Sequence, residues 1–346
     1  MATEPASEYA FEGPAAFEQE ARREHVHGVG PWRLGLRRLR RNKFALLFAL
    51  LFVLLVASCL AAPLWANNVA HTTYSENHLS DTVMIDGKKT NVVGLDGVPI
   101  GPTWQGEFFL GADSNGRDIM VRLLYGGRNS LLIGITAAFM TTILSLILGV
   151  LSGFLGRWTD TGIRTLLDVM WSFPVVILGV ALGVALALGG LTVGPINIPG
   201  DSLLIPIGII GLVYVPYMAR PIRGQVMSLR EKEFVEAAQA QGASPLRIMF
   251  TEVVPNLSST IVVFFTLLIA NAILLEAALS FLGAGVQPPN PSWGTMINDG
   301  VGRIATAPHL AVIPGVMVVL TVLSLNVFGD GVRDALDPRA KVRLEH

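Results

Sequence analysis

The sequence predicts an all-α polytopic membrane protein with six transmembrane helices, and three observations predict it. Hydrophobic residues make up 51% of the 346 residues and charged residues only 15%, with a mean hydropathy of +0.55. That is too apolar for a surface in water. Six stretches approach the about 20 mostly apolar residues that cross a hydrocarbon core: Phe44–Ala62, Leu131–Leu155, Thr165–Gly189, Leu203–Ala219, Thr260–Gly285 and Leu310–Gly329. With a cytoplasmic N-terminus, 19 of the 25 Lys and Arg fall in inside segments and 6 outside, which is the positive-inside asymmetry. Both termini are then cytoplasmic.

Residues 1–31, rich in Glu, Ala and Gly and without an apolar run, read as a mobile cytoplasmic tail rather than a signal peptide. Residues 32–62 combine an interfacial helix with the first span. Trp32, Leu36 and Leu39 fall at i, i+4 and i+7, while Arg33, Arg37, Arg40 and Arg41 take another face. A positive-inside anchor with snorkelling arginines accounts for that pattern. Residues 63–130 form an extracytoplasmic insertion whose turn signals, Asp86-Gly87, Asp96-Gly97-Val98-Pro99 and Gly101-Pro102, predict hairpins. It is a docking surface or a covering loop. Residues 131–329 hold the remaining spans, with a cytoplasmic loop at 220–258, and residues 330–346 a cytoplasmic tail ending in Leu344-Glu345-His346, which resembles the start of an expression-tag scar.

Net charge is −1, so nothing points to nucleic acid as a partner. Cys59 is the only cysteine, which excludes an intrachain disulfide and a cysteine metal site. Neither G-x-x-x-x-G-K-[ST] nor H-E-x-x-H occurs. Phosphate chemistry must come from elsewhere.

The polar stretch between the fourth and fifth spans is the informative one. Ser228 and Glu231 have the spacing of a capping box, which places a helix start near Leu229. Gly242 suits the left-handed position that ends this helix, and Ser244 with Pro245 offers an N-cap and first turn for a second one. In the second helix, Leu246, Met249, Phe250 and Val253 make a stripe able to pack on the membrane domain. In the first, Phe234, Ala237 and Ala238 share a face, where small alanines admit a partner's backbone and Glu236 is left to find a cation. A helix-turn-helix anchored on one face and offered on the other is a mechanical coupler. An amphipathic linker would explain the periodicity but not the alanines beside a Glu or the abrupt glycine turn.

Glu236-Ala237-Ala238, Gly242 and then Pro255 resemble the EAA motif of bacterial ABC importer permeases. The runs 110–118 (LGADSNGRD), 279–283 (LSFLG), 287–294 (QPPNPSWG) and 329–338 (GDGVRDALDP) narrow the resemblance to the dipeptide, oligopeptide and nickel group, in its C-type subunit. Ala112 replaces a usual Thr, the outer loop is longer than is common, and Glu252 and Val254 replace a usual apolar pair. The resemblance spans about Trp32 to Arg343. It implies the type I importer permease fold, in a bacterial inner membrane. The implied partners are a second homologous permease, two ATPases that bind ATP and Mg, and an extracytoplasmic solute-binding protein. Glu236, Ala237, Ala238, Gly242 and Pro255 would be the ATPase-coupling residues, and di- or oligopeptides the implied cargo.

Inside the spans, Glu276, Asp168 and Asn271 are candidate cavity-lining or gating groups, the two carboxylates because charge in lipid is costly enough to need a use. A hydrogen-bonded Glu276 tying helices together, with Asn271 or Asn326 as partner, is the structural alternative. Pro174 and Pro314 are expected to kink their spans. Trp293, in the outer segment between the last two spans, is a candidate binding-protein contact or an interfacial aromatic anchor. The competing functions are an ion-coupled secondary transporter, which needs a relay of intramembrane charges and inverted repeats, and a non-transporting scaffold or receptor.

Overall fold

The computed structural model describes residues 31–85 and 87–336; most of the expected N-terminal tail and the last ten residues, Leu344-Glu345-His346 among them, lie outside that range. Pro31–Arg41 is a helix. Asn42 ends it and caps the first span, Lys43–Leu60, by accepting a hydrogen bond from the Ala45 N–H at 3.0 Å. Phe44, Leu47, Leu50, Val53 and Leu54 are each more than half exposed, so this span turns a wide apolar face outward, as a helix at the lipid boundary does. Glycines let it and the preceding helix lie close to the end of the chain: Gly331 backs onto Ala45 and Gly35 onto Leu336.

The second span, Ile119–Leu155, has 37 residues. At 1.5 Å per residue it is roughly 55 Å long, well beyond the about 30 Å hydrocarbon core. It starts before the expected Leu131 because Asp118 caps it, taking the Val121 N–H at 3.0 Å and the Phe108 N–H at 2.8 Å. In its first turns apolar residues such as Val121 and Leu123 are covered by protein. Further in, Thr141, Ser145, Gly149 and Gly153 recur every fourth residue. Thr141 donates to the Gly211 carbonyl at 2.8 Å and Ser145 to the Val215 carbonyl at 3.0 Å. Gly149 faces Ala219 and Ile222, and Gly153 faces Arg223 and Val226. Small residues and interhelical hydroxyl bonds are what hold helices together in lipid, where no hydrophobic force distinguishes a helix from an acyl chain.

The helix lying on that stripe is the fourth span. Leu204–Val213 and Val215–Arg230 run on through Tyr214 as one candidate span of 27 residues. It therefore extends past the expected end at Ala219, carrying Pro221 inside it.

The third expected span is broken. Five described helices are long and apolar enough to cross a membrane, and a sixth crossing requires Arg157–Trp171 and Val175–Gly189 to be taken together although they meet at 85°. Pro174 does more than kink a helix: it caps the second one, at the bend. Arg157–Trp171 is amphipathic, with only Leu167 fully buried. The apolar half has 15 residues, roughly 22 Å. A hairpin, β3 (Leu191–Val193) with β4 (Ile196–Ile198), comes after it.

The insertion contains the expected hairpin, β1 (Thr82–Ile85) against β2 (Lys88–Asn91), with Thr82 opposite Asn91. Beside it Val92, Ile100, Phe108 and Ala112 form a small core. Gly111 has φ +88 and sits where a Cβ would lie 2.5 Å from the Ile100 carbonyl oxygen, so the turn into the second span needs glycine. The fifth span is Ser258–Phe281 and the sixth His309–Leu336, with Pro314 inside the latter. Between them the helix Trp293–Val301 opens on a capping box of Ser292 and Thr295.

Candidate functional site

The loop between the fourth and fifth spans begins differently from the expectation. Ser228 is not an N-cap, because the fourth span continues through it to Arg230. The apolar contacts of Val226 and Leu229 with the core outweigh the local capping signal. A new helix, Glu233–Ala240, starts only after Glu231 and Lys232. It ends as expected: Gly242 has φ +79, its N–H reaches the Gln239 carbonyl at 2.9 Å, and the Ala243 N–H reaches Ala238 at 3.1 Å. That pair of bonds satisfies the last carbonyls of the helix and reverses the chain. Ser244 then accepts from the Arg247 N–H, and Pro245 opens Pro245–Ile248.

The second helix of the loop then departs from the regular period its sequence suggests. Met249–Val253 is a π turn, closed by the Val254 N–H on the Met249 carbonyl. Pro255, two residues past the turn, has no N–H to give an ordinary helical bond, and the wider turn takes up that mismatch. Thr251 and Asn256 side chains bond back to the Arg247 and Glu252 carbonyls at 2.8 and 2.6 Å. One extra residue in a turn puts a helical stripe out of phase. Met249 and Val253 are buried with Ile248, whereas Leu246 and Phe250 are 62% and 70% exposed. The expected inward stripe is therefore split between two faces.

In the first helix Val235 is the buried anchor, and Phe234, Glu236 and Ala237 are exposed with Ala238 half-buried. The tip, formed by the first helix and its turn, thus carries Glu236, Ala237, Ala238 and Gly242, with Phe234 exposed on the same helix. Pro255 is exposed at the base, where the loop becomes the fifth span. Behind the tip, Val235, Ile248, Met249 and Val253 join the same core cluster as Ile222 and Val226.

Two arginines tie the stem of this loop to Arg157–Trp171. Arg223 makes a bidentate pair with Asp160, 2.6 Å on each arm, and Ser152 donates to the same carboxylate. Arg220 meets Asp168 at 2.8 Å and lies over the Trp171 ring, 5.0 Å from its centre. Arg230 reaches the Phe154 carbonyl at 3.1 Å. Paired planar groups of this kind fix orientation as well as distance. Asp168 is accordingly a half-exposed ion-pair partner on the amphipathic helix, not a group one turn inside a span.

Glu276 is fully buried. Its Oε1 accepts from the Ser280 hydroxyl at 2.7 Å, and Ser130 and Ser292 also face the carboxyl. Three elements meet there: the second span, the fifth span and the outer helix. The expected asparagine partners are replaced by serines. Asn271 instead bonds within its own helix, to the Leu267 carbonyl at 2.9 Å, and receives the Tyr214 hydroxyl on its own carbonyl. Trp293 is fully buried too. Its indole N–H donates to the Leu123 carbonyl at 3.1 Å, and its ring fills the space that Gly127 leaves beside Cys59. A side chain so enclosed offers nothing to a binding protein or to an interface, and that expectation is corrected.

The outer helix is further held by charge. Arg117 pairs with Asp113 at 2.7 Å, and Arg117 and Arg122 each reach Asp299 at 3.3 Å, around a cavity of about 130 Å³. Burial pushes the Asp299 carboxyl above the usual carboxylate range, opposed by the two guanidinium groups.

Residues 145–342 match the family described as the binding-protein-dependent transport system inner membrane component. The chain belongs to this family. Residues 30–81 of the permease also match the N-terminal transmembrane domain of oligopeptide transport permease C. It is 36% identical over 313 residues to the dipeptide transport system permease protein DppC of Alkalihalophilus pseudofirmus, covering 90% of this chain and 91% of that one. It is 37% identical over 233 residues to the glutathione transport system permease protein GsiD of Pectobacterium atrosepticum, covering 67% and 73%. Among solved structures, an inward-facing MetNI methionine ABC transporter chain aligns with a TM-score of 0.51 at 20% identity, over 63% of this chain and 98% of that one. That likeness concerns the fold alone. As a permease subunit the chain is non-catalytic and works with ATPase and binding-protein partners in the inner membrane.

Sequence reasoning missed three features of this permease: the Arg223–Asp160 and Arg220–Asp168 ties, the serine set around Glu276, and the buried Trp293. The first had a signal, two Asp and two Arg near the polar ends of consecutive expected spans. Trp293 and Leu123 are 170 positions apart and Ser130 lies comparably far from Glu276, so these contacts had none; Ser280, one turn from Glu276, was within reach of helical spacing.

Proposed function

We propose that this chain is the C-type permease of an ATP-driven importer of di- or oligopeptides. It pairs with a second, homologous permease and with two ATPases, which bind the ATP and Mg. Both termini and the loop bearing Glu236 face the cytoplasm. Glu236, Ala237, Ala238 and Gly242 form the contact with one ATPase. One observation supports this reading above all: the tip is exposed while its back is continuous with the membrane core through Val235, Ile248, Met249 and Val253. A partner pushing on such a tip displaces the fourth span, and with it the second span that the small-residue stripe fastens to it. The stem ties to Asp160 and Asp168 carry the same displacement into the amphipathic helix. An equilibrium between inward- and outward-facing arrangements then responds to the nucleotide state of the partner. Peptide as cargo is supported by the dipeptide and oligopeptide relatives, with glutathione, itself a peptide, as the near alternative.

Proteoliposomes holding the whole complex test the reading. Labelled dipeptide uptake should require binding protein and ATP, and Glu236→Ala should lower ATP-driven uptake by about tenfold, the effect of removing a central interface contact. Uptake driven by a proton or sodium gradient without ATP would overturn it.

A further inference from the structure

We propose that the exposed face of Pro31–Arg41 is a binding surface for anionic phospholipid headgroups. At 100° per residue the helix divides into two halves. Leu34, Gly35, Arg38 and Leu39 lie on the half that is buried or half-buried, with Gly35 against Ala335 and Leu336 at the end of the sixth span. The other half runs from Trp32 and Leu36, 51% and 52% exposed, to Arg40, Arg33, Arg37 and Arg41, all exposed. Arg33, Leu36, Arg37, Arg40 and Arg41 line one shallow depression of about 410 Å³.

The composition of that half selects its occupant. Four guanidinium groups in a row suit phosphate oxygens, to which each presents a planar fork of donors. The apolar edge of Trp32 and Leu36 beside them suits the boundary between headgroups and acyl chains. An acidic protein surface would satisfy the arginines but leave the Trp32–Leu36 edge in water. The position agrees as well, since Asn42 leads directly into the first span and the helix lies at its membrane end. Because Gly35 locks the helix to the last turn of the sixth span, a headgroup held there also braces that turn.

Native mass spectrometry of the full chain in detergent, titrated with phosphatidylglycerol or phosphatidylcholine, tests this without relying on transport. The wild-type chain should retain phosphatidylglycerol over phosphatidylcholine by about tenfold or more, and the variant R33Q/R37Q/R40Q/R41Q should lose that preference. Should the fourfold variant not fold, R33Q and R37Q singly should each reduce the preference by about fivefold. R157Q/R164Q, a loss of arginines from another cytoplasmic helix, should leave it intact. Equal retention of the two lipids by the wild-type chain would overturn the proposal, as would an unchanged preference in the arginine variants or an equal loss in R157Q/R164Q. Displacement of the lipid by inorganic phosphate at the same concentration would also overturn it, by showing an ion site rather than a lipid surface.

Discussion

Gly242 shows how one residue can set the geometry of a turn. Its φ of +79 lies in the left-handed region, and no atom crowds the place of a Cβ, so Gly242→Ala meets backbone strain alone, about 1 kcal/mol. Thermal unfolding of the purified complex should barely change, while ATP-driven uptake falls because the two helices no longer meet at the same angle. Glu276 is the opposite case. Its Oε1 accepts from the Ser280 hydroxyl while its Oε2 is buried without a hydrogen-bond partner, so Glu276→Ala leaves that hydroxyl without its acceptor and should cost about 1–3 kcal/mol; Glu276→Gln, which keeps an acceptor, should cost less. Midpoints of unfolding in detergent rank the two variants, and equal midpoints would remove the hydrogen-bonding role. Gly127 is the third informative position, because a Cβ there would press on the Cys59 sulfur and the Trp293 ring. Gly127→Ala should destabilise by about 1–3 kcal/mol, and Cys59→Ala should recover part of that loss.

Among the elements, the amphipathic helix Arg157–Trp171 has the least to do with crossing a membrane and the most to do with holding the loop. Asp160→Asn replaces a bidentate charged pair with a single weaker bond and leaves Arg223 partly unpaired, a loss of about 1–2 kcal/mol. If that helix transmits motion, the variant should retain assembly yet hydrolyse ATP with less uptake per turnover, which paired measurements of phosphate release and import would reveal. The elements divide by how much of them the sequence exposes. Spans were readable because hydrocarbon imposes a length and a polarity that no tertiary contact overrides. The Gly242 turn and the Ser244 cap were readable because their chemistry is local. The early start of the second span at Ile119, the run of the fourth span through Ser228 and the π turn at Met249–Val253 were not, since each depends on packing or on a proline further along. The break at Pro174 was half-legible: the proline marked it, but not its angle of 85°.

For the whole molecule, the contacts describe a bundle whose two ends are closed by different chemistry. At one end, Trp293 and the Asp113, Arg117, Arg122 and Asp299 charges fasten the helix Trp293–Val301 to the start of the second span. At the other end, the exposed loop tip stands in front of a stem fixed by Arg220, Arg223 and Arg230. On the proposed coupling role, a push on the tip would travel along the second and fourth spans, which the Thr141–Gly153 stripe joins. The decisive measurement is a disulfide cross-link from Ala237→Cys, in a Cys59→Ala background, to a single cysteine in the groove of the ATPase within the assembled complex. The cross-link should form, change in yield with bound nucleotide, and stop ATP-driven uptake until reduced. A complex that assembles and transports with no such link in any nucleotide state, or an Ala237→Cys thiol that reacts with an impermeant reagent from outside sealed cells, would contradict a cytoplasmic coupling loop.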